Sequence, residues 1–411
     1  MKVLFLTQYF PPEVGAPQNR LFASACALRK SGAEVTVLTA MPNYPEMRVH
    51  DGYRGKWKME EERDGLRVIR AWIHVPSGRS VMARLLNYFS FVFSSLLVGL
   101  FNLKRSDVLL VESPPLFLGI TAMLLARAKG AKLVFNVSDL WPESAVQLGL
   151  VTNRTMIRLS TWLEMKCYRS SALITGQTQG IVSDIQRRCP GKRVVWIPNG
   201  VDFAAMESYS RAPLDRSRLD ALGIRPGDLV FAYAGIIGHA QGLEVIVRAA
   251  EILRLDRAHF LLIGAGPELR KLKDMAASMG AGNVHFIDKM PRPELIGLLR
   301  CTSGVVVPLR KNDLFKGAIP SKIFEALALG KPLLLGVEGE AKQLFIDDGG
   351  AGLAFVPEDA ENLAMQVRRY AVEPHLLEQH GSSGSRYARA RFDREVISAR
   401  LWEELKAIAR Q

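Results

Sequence analysis

The chain has 411 residues, 48% of them hydrophobic and 23% charged, enough for two or three folded domains with sizeable cores. A formal charge of +13 points to an anionic partner. No RRM, zinc-finger or basic-helix pattern is present, which sets nucleic acid aside in favour of an anionic lipid surface or a phosphorylated substrate. The four cysteines lack C-x-x-C spacing and the seven histidines form no H-E-x-x-H group, which speaks against a disulfide scaffold or a protein-held metal and fits a reduced cytoplasmic compartment.

The opening, MKVLFLTQYFPP, carries one lysine and too short an apolar run for a signal peptide, and reads as a strand over 2–7 followed by a turn. The loop QYFPPEVGAPQN, a helix over 18–30 closed by Gly32 and a strand over 33–39 complete a βαβ unit. Such continuous apolar strands imply a parallel sheet covered on both faces, with ligands at the C-terminal ends of its strands. Gly15 there lets the backbone approach a ligand, and Arg20 in the first helical turn is placed to reach a phosphate. Residues 42–66 are polar and read as a long surface excursion before a strand over 67–73.

Leu85–Leu103 carries no charge and is flanked by Arg84, Lys104 and Arg105. Its length just reaches a bilayer span, but the strand over 107–112 should rejoin the sheet of strands 2–7 and 33–39, which excludes a crossing. Two readings remain: a buried crossover helix, or a helix partly immersed in the lipid interface. In the second, Trp57, Trp72 and Tyr88 anchor it and Phe91 and Phe93 meet lipid or acceptor. A helix over 116–129, a strand over 132–137 and the turn Ser138–Glu143 follow. Asp139 stands at the C-terminal end of that strand, where open α/β sheets put their chemistry; as an Asx turn before Pro142 it would be purely structural. A helix over 153–169, a strand over 171–176, a helix over 179–188 and a strand over 194–198 bring the first domain to its end at residue 202.

Residues 203–227, with Pro213 and Pro226, read as a linker into a second doubly wound unit ending near residue 387. Its first loops, Gly235–Gly242 and Gly264–Gly266, follow strands over 229–234 and 259–263, so each can bring backbone N–H groups to phosphates. The stretch Ala318–Pro332 (AIPSKIFEALALGKP) reads as a helix capped by the Ser321 hydroxyl and stopped at Gly330. Its start offers N–H groups, the positive dipole end and the Lys322 charge to an anion. Glu325, one turn deeper on the same face, suits a ribose diol; the bland alternative is a surface Lys–Glu pair. In the tail 388–411, Ile397, Leu401, Leu405 and Ile408 recur at helical spacing, and this last helix should pack back on the first domain.

The motifs YFPPEVGAP, IPNGVD, AGIIGHAQGLE, LIGAGPE and PSKIFEALALGKP, in that order, resemble those of retaining family-4 glycosyltransferases of the GT-B fold. With NYP, SPPLFLG and SDLWPES, they look closest to the bacterial N-acetyl-fucosamine (FucNAc) transferases of O-antigen and capsule assembly. The resemblance implies two Rossmann-like domains facing a cleft: residues 1–202 for the acceptor, residues 203–387 for the nucleotide sugar, and 388–411 returning to the first. It also implies that Glu325 binds the nucleotide ribose and that Gly15 and Ala16 line the donor–acceptor site. Gly264 and Gly266 approach the nucleotide, and Lys289 and Met290 offer backbone to the base. The broader pattern carries Glu, Arg and Lys where this chain has Gly317, Ile236 and Gln241, so Lys322, with Lys316 or Arg310, is expected to take over the diphosphate charge. Its histidine after the first-domain strand is Ser138 here, which leaves Asp139 as the nearest ionisable group.

The function implied is transfer from a UDP-sugar, a co-substrate rather than a cofactor, onto a polyprenyl-diphosphate-linked acceptor. The enzyme would be cytoplasmic and peripheral to the inner face of the plasma membrane. The sequence has no Asp-x-Asp pair to hold a metal, so fixed electrostatics from Ser321, Lys322, Gly235, Gly238, Gln241 and neighbours would have to stabilise the leaving group. A nucleotide-sugar 2-epimerase on the same scaffold and a catalytically idle partner of a transferase are the alternatives.

Overall fold

The computed structural model describes the chain except residues 14, 45–46, 77–80, 148–150, 211–213, 215 and 411; Pro213 of the expected linker is therefore outside the described residues. Two compact units result, Met1–Asn199 with Arg394–Gln411, and Gly200–Asp393.

In the first unit the strands are β1 (Lys2–Leu6), β2 (Glu34–Ala40), β3 (Lys58–Arg63), β4 (Leu66–Ala71), β5 (Val108–Ser113), β6 (Lys132–Val137), β7 (Leu173–Gly176) and β8 (Val194–Trp196). They lie in the order β3-β4-β2-β1-β5-β6-β7-β8, parallel except for β3. The helices are α1 (Ala16–Lys30), α2 (Val81–Asn102), α3 (Leu118–Lys129), α4 (Glu143–Gln147), α5 (Arg154–Ser170) and α6 (Gln179–Arg188). Because side chains alternate along a strand, Leu4 and Leu6 face a core shared with α2, α3, α5 and α6, while Val3 and Phe5 face the opposite one with α1. The chain order reverses between β1 and β5, so the loops after those strands mark the switch point where such sheets bind ligands.

The excursion expected over 42–66 is in part a hairpin. Lys58 pairs with Ala71 and Arg63 with Leu66 across Asp64 and Gly65, both at positive φ (49° and 74°), the geometry of a two-residue Asp-Gly turn. The charges of KMEEER hid the strand, because β3 is an edge whose residues alternate between exposed and half-buried. Its Glu61 accepts from the fully buried Arg70 at 2.8 Å, and the same guanidinium donates to the carbonyl of Ala40 and, from the other side, to that of Pro11 in the β1 loop. Glu61→Ala leaves that charge uncompensated and is expected to destabilise the unit by about 3 kcal/mol, read as a drop in the thermal unfolding midpoint.

Helix α2 leaves β4 and returns to β5 of the same sheet, so it is a crossover. One side is core: Phe91 is fully buried and Val92 and Val98 nearly so. The other side is an exposed apolar stripe of Met82, Leu86, Phe89, Phe93 and Leu100. The crossover reading therefore holds for the buried side, and the other side is apolar and exposed. Phe91 is a correction: it fills the core and meets no lipid, while Phe93 is exposed beside Trp57, itself stacked on Trp72. Tyr88 is half-buried; Arg84, Lys104 and Arg105 are exposed.

The second unit opens with α7 (Phe203–Ser210) and α8 (Ser217–Ala221), so much of the stretch expected as an irregular linker is helical. Its strands β9 (Leu229–Ala234), β10 (Ala258–Ile263), β11 (Val284–Ile287), β12 (Gly304–Pro308), β13 (Leu333–Gly336) and β14 (Gly352–Ala354) form a parallel sheet in the order β11-β10-β9-β12-β13-β14. Helices α9 (Glu244–Ile252), α10 (Leu269–Met279), α11 (Arg292–Arg300), α12 (Lys322–Ala328), α13 (Glu340–Lys342), α14 (Ala360–Val372) and α15 (His375–Phe392) complete it. The switch point lies between β9 and β12. The last helix, α16 (Arg394–Ala409), returns to the first unit, where Ile397, Leu401, Leu405 and Ile408 join the core of Val3, Phe5 and α1. Residues 388–392 belong to α15, so the return begins at Arg394 rather than at 388.

Candidate active site

Helix α12 is held from below. Ile323, Phe324, Ala326 and Leu327 are buried, and the Phe324 ring packs on Phe345 and Phe392 at 5.6 and 5.3 Å. That anchoring leaves Lys322 and Glu325, three positions apart, on the opposite side. Gly330 ends the helix at φ 66°, as its sequence position indicates. The start differs from expectation. The N–H of Ile323 already bonds to the Pro320 carbonyl, so the turn begins earlier, Ser321 adopts helical angles, and its hydroxyl caps nothing. At 7 residues the helix is also too short for a strong macrodipole, which shifts the burden of charge onto Lys322.

The Lys322 ammonium lies 3.6 Å from the centroid of the Tyr233 ring, a cation–π contact at the end of β9. It also borders the first loop, since a Cβ placed on Gly235 would sit 3.2 Å from Nζ. Burial pulls its pKa down to about 7, against the raising effect of Glu325. The Tyr233 hydroxyl donates to the Ile236 carbonyl at 2.6 Å and so fixes the ring under the ammonium. Glu325 is paired with Arg292 at the start of α11 (2.9 Å), both partly exposed. Neither Arg292 nor Tyr233 was singled out in the sequence. Tyr233, the one hydroxyl-bearing side chain in LVFAYA, was the available signal, whereas nothing local to Arg292 marks its pairing with Glu325.

The loops after β9, β10, β11 and β12 gather at the same sheet edge. Gly264 (φ 143°) and Gly266 are required by the neighbouring loop itself: Cβ atoms there would lie 2.0 Å from the Gly235 carbonyl oxygen and 2.2 Å from that of Ile237. The N–H of Ile237 bonds to the Ala265 carbonyl, tying the two loops together. Gly238 and Gln241 adjoin within the first loop, Ile236 is exposed, Lys289 is exposed and Met290 is half-buried against the core. Arg310 is tied to Glu244, Glu358 and the His239 carbonyl, while Lys316 lies on the surface in an exposed pair with Asp313. Gly317 stands in open space.

In the first unit the corresponding edge carries a buried polar network. Arg20 donates to Glu112 (2.5 Å) and to the Ser138 hydroxyl (2.9 Å) and is therefore not a free phosphate ligand. Ser138 in turn donates to Glu112 and accepts from Gln177, while Asn136 donates to Glu112 and accepts from Thr175. Glu112, overlooked in the sequence, is the lone carboxylate near the end of the apolar strand VLLVES, in register with Asn136, while Asp139 lies two residues beyond the end of β6. Asp139 accepts from the Ser144 hydroxyl at 2.5 Å, which ties the turn to α4; crowding by protein raises its pKa, opposed by the bonds from Ser144 and from the Leu140 N–H. Gly15 precedes α1 in extended conformation; the side chain of Ala16 is outside the described residues.

Two units, each a largely parallel sheet whose loops gather at its C-terminal edge, give the chain the GT-B fold. Residues 15–200 match the glycosyl transferase 4-like domain and residues 217–386 match glycosyl transferases group 1, so the chain is a family-4-type enzyme across both units. It is 26% identical to WcaI of Escherichia coli (strain K12), a glycosyl transferase named for colanic acid biosynthesis, over 99% of this chain and 100% of that one. Among solved structures it is similar to the sucrose-phosphate synthase of Thermosynechococcus elongatus (TM-score 0.73, 17% identity, 99% and 100% of the two chains). It is likewise similar to Anabaena HepE in complex with UDP and glucose (TM-score 0.71, 18% identity, 99% and 100%).

Proposed function

We propose that this enzyme is a retaining glycosyltransferase of bacterial surface polysaccharide assembly. It moves a sugar of the N-acetylated 6-deoxyhexose type, such as FucNAc, from a UDP-sugar to a polyprenyl-diphosphate-linked acceptor at the cytoplasmic membrane face. The observation that carries the reading is the enclosed Lys322 ammonium bordering the Gly235 loop, with Glu325 beside it on the same helix. The UDP held by HepE and the pathway in WcaI's name support the donor and the setting.

Lys322 takes the diphosphate with those N–H groups of the two loops that are not tied to backbone carbonyls, which leaves out Gly235, Ile237, Gln241 and Gly264, and Glu325, oriented by Arg292, takes the ribose diol. As the bond from the anomeric carbon to the phosphate oxygen breaks, Lys322 offsets the charge left on UDP. The acceptor hydroxyl attacks the same face, and its proton passes to the departing phosphate oxygen. Asp139, at the C-terminal edge of the first unit's sheet, takes no part in that proton transfer and is assigned to positioning the acceptor. Charge neutralisation here belongs to Lys322, without a protein-held metal.

A panel of UDP-sugars incubated with a lipid-linked acceptor in EDTA, with products read by mass spectrometry and anomeric NMR, tests the reading. The expected product is one α-configured saccharide from an α-linked donor. An inverted product, or turnover that requires added divalent cation, defeats the mechanism; transfer of only a different sugar defeats the donor assignment alone.

A further inference from the structure

An open groove of about 1090 Å³ runs between α3 and α5 of the first unit. Its walls are Phe117, Ile120 and Leu124 on one side and Leu159 and Trp162 on the other, with Phe89 of α2 at one end. Four of these side chains are substantially exposed: Phe89 45%, Leu124 48%, Leu159 61% and Trp162 60%. Through Phe89 the groove is continuous with the exposed apolar stripe of α2, and contiguous apolar surface of that kind marks interaction sites. The lining includes three cations, Arg127, Lys132 and Lys166, and no carboxylate. Among the described residues none of the three forms an ion pair, and Lys166 lies over the Trp162 ring at 5.1 Å. Apolar walls with tryptophan and unpaired lysine or arginine at the rim are the chemistry of a lipid interface.

We infer that this groove seats a hydrocarbon chain of an anionic membrane lipid, with Arg127, Lys132 and Lys166 meeting headgroup phosphates. The inference rests on the membrane setting proposed above and names the surface that makes the contact. Length and continuity fit: α3 spans roughly 18 Å, comparable to one extended acyl chain. The apolar stripe of α2 also runs into the groove through Phe89. Charge decides against a second copy of the chain, because a two-fold contact would set the cationic rim against itself. The placement is also functional. Phe117 touches Phe89 at 4.7 Å and Trp141 at 5.4 Å, which connects the groove to the turn carrying Asp139, so a lipid held there lies beside the acceptor edge of the unit.

The test is flotation of the full chain with vesicles of phosphatidylcholine, alone or mixed with phosphatidylglycerol, together with quenching of tryptophan emission by brominated acyl chains. Leu159 and Trp162 are exposed, so Leu159→Glu with Trp162→Glu should fold normally, checked by thermal unfolding. Wild type is expected to float only with phosphatidylglycerol. The double variant should lose about tenfold in partitioning, and Arg127→Ala with Lys166→Ala a similar factor. The quenched component should shrink in Trp162→Phe, and the difference from wild type is the part that reports Trp162. Equal flotation of wild type and Leu159→Glu/Trp162→Glu, with no quenching of Trp162, overturns the groove while leaving a membrane contact through Phe93 and Leu86 of α2 in force. Failure of wild type to float on any vesicle overturns the groove and the membrane setting together. Self-association abolished by Leu159→Glu, without flotation, assigns the groove to a second copy and overturns the inference.

Discussion

Replacing Lys322 with methionine is expected to lower kcat/KM for the UDP-sugar by about 10²- to 10³-fold, the loss of one preorganised electrostatic stabiliser from a shielded site. Methionine keeps the length and apolar stem, so the Tyr233 face and the Gly235 loop retain a neighbour while the charge disappears. Because the departing UDP carries more charge on its phosphates than the bound donor does, kcat should fall more than donor affinity. The folded chain without ligand should become more stable, since an amine confined over Tyr233 is replaced by an apolar group. Lower activity with raised stability separates a functional lysine from a structural one; a variant of unchanged turnover would remove Lys322 from the mechanism.

The same lysine gives a pH signature with two opposite slopes. Its pKa in the free protein is about 7, well below the ordinary lysine value, so the unfolded chain binds the extra proton through the range between. Stability of the free protein therefore rises with pH above about 7, as the folded state no longer carries a confined charge. Donor affinity runs the other way: a diphosphate favours the ammonium, so affinity is full below pH 7 and falls as pH climbs through it. Calorimetry of UDP binding across this range should show proton uptake on binding above pH 7, and Lys322→Met should abolish both the uptake and the slope.

How much of this was legible depended on whether a residue's partner lay nearby in sequence. The continuous apolar strands covered on both faces and the return of α16 through Ile397, Leu401, Leu405 and Ile408 are local patterns, and the two cores bear them out. The stop at Gly330 is likewise local chemistry. What stayed hidden was set by distant neighbours or by conflicting local signals. Phe91 and Phe93 could not be told apart because Leu85–Leu103 carries no charge and its polar Asn87, Ser94 and Ser95 lie on the buried side, so the polar positions do not mark the outer face. Arg20 looks free until Glu112 and Ser138 arrive from two other strands. Ser321 has the right identity for a cap, but the turn closes one residue earlier, at Pro320, and makes the hydroxyl redundant. KMEEER lacks hydrophobic content since an edge strand needs only half a face; the Asp64-Gly65 pair was the better signal.

Gly264→Ala is expected to destabilise the second unit by about 3 kcal/mol and to raise the donor KM at the same time. Two independent costs meet at this position. The φ of 143° is one that residues with a Cβ rarely adopt, and the new methyl would lie 2.0 Å from the Gly235 carbonyl oxygen, a backbone atom that no rotamer change can move aside. Relief requires the two loops to separate, which strains the bond from the Gly235 N–H to the Ile263 carbonyl and shifts the segment bordering Lys322. Were Gly264 glycine solely so that a nucleotide could approach, the variant would unfold like wild type and lose donor binding alone. Urea unfolding and UDP titration of the same preparation tell these apart: coupled losses place the requirement in the loop–loop contact, whereas lost binding at wild-type stability places it in the ligand.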